Sequence, residues 1–183
     1  MDIGETLYVS DAASWRAWLE ANHTSVSEIW LVYHTKASGQ PSIPYGDAVD
    51  EALCFGWIDS IVKKHGPESR AQRFTPRRPG SKLSEMNKER ARRMRAAARM
   101  TRAGLDAIGD VLDEPFVIPG DIKSALQSDE AAWRNFQAFP ESYQRVRIGF
   151  VNGSRNRRGV FEQRLAYLVR MSAQNKRFGM LRD

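Results

Sequence analysis

The sequence predicts an α+β fold: a small antiparallel sheet packed with helices, followed by an all-helical C-terminal region. Three observations carry this. Short β-prone runs are confined to the N-terminal 76 residues, segments with helical 3,4 spacing interrupt them, and from Asp121 onward every apolar spacing is helical. A chain of 183 residues can bury roughly 70% of its unfolded surface, so the fold needs neither a disulfide nor a structural metal.

Thr6 to Val9 reads as a short strand, and Ser10-Asp11 supplies cap side chains to a helix over about 11–22 that places Ala12, Trp15, Trp18 and Leu19 at helical spacing. Glu28 to Thr35, EIWLVYHT, is a buried strand closed by Ser38-Gly39-Gln40-Pro41. Pro44 opens the next helix, because a first-turn residue needs no amide hydrogen. Tyr45, Ala48, Val49, Ala52 and Leu53 form its apolar face, and it ends near Gly56. Trp57 to Val62 alternates as a strand, Lys64-His65-Gly66-Pro67 turns the chain, and Arg70 to Thr75 returns as the second arm of a hairpin. Ser84 then caps a long helix from Glu85 to about Met100, and another helix follows near 102–113. Glu114 to Gly120 is the one linker. It divides an α+β unit, 1–113, from a helical region, 121–183, whose helices cover 122–127, 130–139, Pro140 to about Val151, and 159–173.

The net charge of +6 conceals an alternation along the chain. Residues 1–62 carry 2 basic and 9 acidic groups, 63–102 carry 14 and 3, 103–142 carry 2 and 8, and 143–183 carry 10 and 2. Such asymmetry speaks of fields and partners rather than of fold. Arg outnumbers Lys 21 to 7, a bias that codon usage on a solvated surface also produces. No window approaches a membrane span, and the N-terminus lacks a basic region followed by an apolar run, so a cytoplasmic location and no membrane span are expected.

The histidines at 23, 34 and 65 are dispersed and Cys54 is alone, so no metal site is expected. No phosphate loop, dinucleotide fingerprint or nucleophile elbow occurs, and no cofactor is expected. Cys54, between Leu53 and Phe55 with no base or cation beside it in sequence, reads as a buried structural thiol. Asp59 interrupts an apolar strand on the face of Trp57. A buried carboxylate needs a partner, which Arg73, Arg77 or Arg78 on the returning strand can supply. In the long helix, Lys88, Arg92, Arg95 and Arg99 fall on one face, which is either a solvated surface or an anion-binding stripe. Just upstream, Arg73-Phe74-Thr75-Pro76-Arg77-Arg78-Pro79 sets guanidinium groups before a helix start, with Trp57, Phe74 and Phe55 available either for stacking or for the core.

The run from Tyr45 to Asp59 containing ALCFGWID, then RFTPRR at Arg73–Arg78, then Ser84, Asn87 and Arg90, resembles the YdeI/OmpD-associated family. Pro119, Asp121, Ala125-Leu126, Phe136, Phe139-Pro140, Ser142 and Arg164 resemble its C-terminal helical region. Leu83, where the family carries Trp, and Arg147–Val151, where it is more aromatic, depart from the pattern. The resemblance implies a part in bacteriocin protection, read as an intracellular stress-resistance effect, with no enzymatic activity, catalytic residue or cofactor attached to it.

Two classes of function follow. A binding module would hold an anionic ligand, a nucleic acid or an acidic protein partner against Arg73, Arg77, Arg78 and the Lys88–Arg99 stripe, with Trp57, Asp59, Asn87 and Arg90 completing the candidate binding residues. A small-molecule enzyme would instead use Asp59 as acid or base beside Arg73, with Asn87 orienting the substrate, and requires those groups to share a pocket.

Overall fold

In a computed structural model, which describes residues 2–179, the chain folds as an α+β protein with a helical C-terminal region. The first strand, β1, is Thr6–Tyr8. Helix α1, Ala12–Asn22, starts where Asp11 accepts the Ser14 amide at 2.8 Å. Then come β2, Ile29–His34, and α2, Tyr45–Cys54. The hairpin is β3, Trp57–Gly66, and β4, Ser69–Pro76. Helices α3, Glu85–Ala96, and α4, Arg102–Ile108, follow. The remainder is α5, Gly120–Gln127, α6, Glu130–Ala138, α7, Glu141–Asn152, and α8, Val160–Ala173.

The strands lie in the order β1-β2-β4-β3. β2 pairs antiparallel with β4, and β4 with β3, whereas β1 and β2 are parallel because the connection between them crosses over through α1. The hairpin is longer than its apolar alternation implies. Lys63 and Lys64 pair with Ala71 and Arg70, and the chain turns at Pro67-Glu68. Ladder hydrogen bonds come from the backbone, so a strand continues through polar residues when its partner does. Register shifts between Asp59 and Val62 and between Lys64 and Gly66 mark bulges.

The chain divides into two compact units. One holds the residues up to Leu83 together with Arg90–Leu112; the other holds Ser84–Glu89 and the residues from Asp113 on. In the first, Trp15 and Leu19 of α1 and Ala48, Val49, Ala52 and Leu53 of α2 pack with Ile29, Leu31, Phe74 and Trp57 of the sheet. The second unit has its own core of Ile122, Leu126, Phe136, Ile148, Val151 and Leu168.

Helix α3 stops at Ala96 rather than near Met100. Ala98 takes a left-handed conformation at φ 53°, and the Arg99 amide turns back to the Met94 carbonyl at 2.9 Å. That turn delivers Thr101, whose amide and hydroxyl both donate to the Cys54 carbonyl, at 3.0 and 2.6 Å. Gly104 completes the contact between α4 and the end of α2, for a Cβ there would lie 2.2 Å from the Cys54 oxygen.

Candidate functional site

Strand parity decides what surrounds Asp59. It pairs with Phe74, and successive residues of a strand face opposite ways, so Gln72 shares its face and Arg73 does not. Accordingly, Asp59 Oδ2 accepts the Tyr45 hydroxyl at 2.9 Å and the Gln72 amide at 2.6 Å. Arg73 turns to the other face, where its Nε and Nη2 meet Glu28 at 2.8 and 2.5 Å. The expected Asp–Arg pair across the hairpin is therefore replaced by an Asp–Tyr–Gln cluster, and an acid or base at Asp59 would not have Arg73 beside it. Tyr33 belongs to the same cluster. Burial first, and the Asp59 charge second, raise its phenol well above the ordinary range; the same two causes push Tyr45 up to about 12. The Tyr33 hydroxyl is buried without a hydrogen-bond partner, and the Arg70 guanidinium lies 5.6 Å from its ring centre. Gln72, two residues before Phe74, was the sequence signal for this cluster.

Trp57, Phe55 and Phe74 are core rather than a stacking surface. Trp57 is 1% exposed, donates its indole N–H to the His23 carbonyl at 3.2 Å and meets Trp18 edge to face. Its indole donor is satisfied and its rings are covered, so no ligand reaches it in this conformation.

The most heavily charged region is an internal network. Asp50 and Glu51, on α2, are 5% and 2% exposed. Asp50 holds Arg90 at 2.7 Å and Arg93 at 2.5 Å, and Arg90 also donates to the Gly46 carbonyl at 2.9 Å. Glu51 holds Arg16 at 2.9 Å and, on its other oxygen, Arg99. Arg90, expected among ligand-binding residues, is thus committed to a buried carboxylate. Charges this deep require partners, and the acidic block of α2 supplies them to the arginines that follow. Cys54, buried next to this network, is pushed up to about 11, by burial first and then by the Glu51 charge, as an inert thiol requires.

The basic stripe of α3 is likewise engaged. Lys88 bridges Glu85 at 2.9 Å and Glu114 at 3.0 Å, and Arg92 Nε donates to the Leu112 carbonyl at 2.8 Å. Asn87 stands in the first turn of α3, where its amide donates to the capping Ser84 hydroxyl at 3.2 Å; it groups with the C-terminal unit.

When these pairs are set aside, the basic residues that remain include those of the loop after β4. Arg77, Arg78 and Lys82 lie within Pro76–Leu83 and meet no carboxylate among the described residues. Arg78 and Lys82 are exposed. Arg77 is half-buried: its amide donates to the Gly56 carbonyl at 2.9 Å and its Nη2 to the Ser81 carbonyl at 2.8 Å, while its Nε is buried without an acceptor. Burial alone pulls its guanidinium below the ordinary value. Among the described residues no cluster of three metal-ligating side chains occurs, and no helix is long and apolar enough to cross a membrane.

Fold and site together define a small, arginine-rich α+β protein with a helical C-terminal unit, in which Arg73, Lys88, Arg90, Arg93, Arg99 and Arg102 of the central basic block are paired with carboxylates of the same chain. Residues 7–107 match the family described as Domain of unknown function (DUF8412), and the chain, matched over more than half its length, belongs to that family. Residues 115–175 match the family described as Bacteriocin-protection, YdeI or OmpD-Associated. The motifs ALCFGWID and RFTPRR fall in the first stretch, and Asp121, Leu126, Phe136, Pro140 and Arg164 in the second. No curated protein and no solved structure matches the chain.

Proposed function

We propose that this protein contributes to bacteriocin protection by binding a phosphate-bearing anionic ligand at the Pro76–Leu83 loop, without catalysis. The observation that carries the reading is Arg77, a guanidinium drawn partly out of water with a buried Nε that no acceptor meets and no carboxylate beside it. Desolvating a cation without a counter-charge is costly, and an anion between Arg77 and Arg78 removes that cost while using the forked geometry of both side chains. The C-terminal family match supports the protective role.

Calorimetric titration with inorganic pyrophosphate at low salt tests it. Binding is expected to weaken at least tenfold in Arg77→Ala and further in Arg77→Ala/Arg78→Ala, with no change in Lys123→Ala, an exposed lysine of the other unit. Equal affinity in all four proteins would remove the loop from the account. Survival of bacteriocin-challenged cells carrying wild-type or Arg77→Ala protein then links ligand to phenotype.

The orphan hydroxyl of Tyr33 favours a second reading, in which Asp59 and Tyr33 exchange a proton with, or hydrogen-bond, a small polar molecule. A buried hydroxyl with no partner costs about 1–3 kcal/mol, so Tyr33→Phe is expected to stabilise the fold. If that variant protects cells as well as wild type does, this reading fails.

A further inference from the structure

The C-terminal unit carries its own concentration of aromatic rings and arginines, on a face the preceding proposal does not use. Helices α7 and α8 meet where Arg164 donates to the Phe150 carbonyl at 2.8 Å and lays its guanidinium 3.7 Å from the centre of the Phe150 ring. One turn on, Tyr167 carries Arg170 at 5.1 Å. Phe150 and Tyr167 nevertheless remain 42% and 37% exposed. With them is Arg147, only 5% exposed, whose guanidinium lies 4.9 Å from the Phe178 ring centre, 5.5 Å from Tyr143 and 5.7 Å from Phe150. Its Nε has no acceptor, and none of Arg147, Arg164 and Arg170 meets a carboxylate among the described residues. The acidic residue of α8, Glu162, lines an apolar groove with Asp129, Leu165 and Val169, and Arg170, at the edge of the aromatic face, lines that groove too.

We propose that this face, centred on Phe150, Arg164 and Tyr167, binds single-stranded nucleic acid. Each element of the face has a use in that ligand. Unpaired bases stack on aromatic rings and on guanidinium planes, and here the two already lie against each other, partly exposed. Phosphates between the bases meet arginines that have no internal counter-charge, unlike Arg145 and Arg155, which are paired to Glu141 and Asp121. Arg147, with its guanidinium 5.7 Å from the centre of the Phe150 ring, adds a further positive charge that meets no carboxylate among the described residues. Duplexes hide the base faces that stacking requires. An anionic membrane fits less well, because a surface-lying helix needs a broad free apolar side, and that of α8 packs on the core through Leu168, with Leu165 and Val169 partly buried against it.

Fluorescence polarisation with labelled fifteen-nucleotide oligo-dT and oligo-U, using the full chain, tests this. Two phosphate contacts on a single strand, from Arg164 and Arg170, predict a log–log salt slope of about −1.4, and hence roughly a sevenfold loss of affinity from 50 to 200 mM salt. Phe150→Ala and Tyr167→Ala are each expected to weaken binding at least fivefold, and Phe150→Leu, which keeps the apolar bulk, to do the same, because it is the flat ring that stacks. Both rings are partly exposed, so the variants are expected to fold, with thermal melting as the control. Lys36→Ala, at an exposed lysine of the first unit to which no binding role is given, should leave this affinity unchanged. Absence of binding at 50 mM salt overturns the proposal. So does undiminished binding by folded Phe150→Ala and Phe150→Leu, or equal, ring-independent binding to duplex DNA, inorganic polyphosphate or phosphatidylglycerol vesicles, any of which would leave only unspecific charge.

Discussion

Replacing Asp50 by Asn removes one charge from the most deeply buried ion-pair network while keeping nearly the same side-chain volume. The Asp50 side chain is 8% exposed, Arg90 18% and Arg93 37%. Removing one partner of a buried pair costs about 3–5 kcal/mol, because the remaining charge stays desolvated and unopposed. Arg93 is exposed enough for water to screen it, which places the expected loss near the lower limit, about 3 kcal/mol. For a protein of this size that corresponds to a fall in Tm of about 6–12 °C. Urea unfolding followed by tryptophan fluorescence measures it in the right place, since Trp15, Trp18, Trp30 and Trp57 all belong to the first unit and only Trp133 to the second. Asp106→Asn, in the same unit, provides the comparison: its pair with Arg102 has a carboxylate 59% exposed, and its loss is expected to cost under about 1 kcal/mol. A loss for Asp50→Asn no larger than that of Asp106→Asn would refute the view that α2 neutralises α3 through a buried network.

Two further outcomes concern the junction of α2 with α4. Gly104→Ala is expected to destabilise the first unit by about 2 kcal/mol or more in the same urea experiment, because the added methyl has the Cys54 carbonyl oxygen at 2.2 Å and α4 must move off α2 to admit it. The Cys54 thiol, raised from 9.0 to about 11, keeps its proton in the fold while the unfolded chain releases it above about pH 9. Stability from the neutral thiol is thus whole below pH 9 and lost as pH rises toward 11. Iodoacetamide should label Cys54 at pH 8 only after denaturant is added, and rapid labelling of the folded protein would contradict the burial described.

What the sequence disclosed and what it withheld follow from the range of the interactions. Trp15 and Leu19, Ala48 to Leu53, and the run from Ile29 to Tyr33 announce their elements through spacing alone, because their burial repeats with the period of the element that carries them. Ends and partners are different. The hairpin continues to Gly66 because β4 supplies backbone partners to Lys63 and Lys64, and α3 ends at Ala96 because the chain must turn to bring Thr101 to Cys54, neither of which is written in local hydropathy. Asp59 is the instructive site. Its place in an apolar strand correctly marked it as needing a partner, but whether the partner is Arg73 or Gln72 depends on a register that one bulge changes by a residue. The same limit applied to charge. The segments 1–62 and 63–102 stand out as acidic and basic blocks in the sequence, and their opposition is partly an internal fit: Glu28 takes Arg73, Asp50 takes Arg90 and Arg93, and Glu51 takes Arg99. A basic segment becomes informative about ligands only after such pairs are removed. In this chain the groups left by that removal include the Arg77–Lys82 loop in one unit and the Arg147–Arg164–Arg170 set in the other. Arg77 and Arg147 are the two guanidinium groups whose buried Nε atoms still lack an acceptor among the described residues, one in each unit.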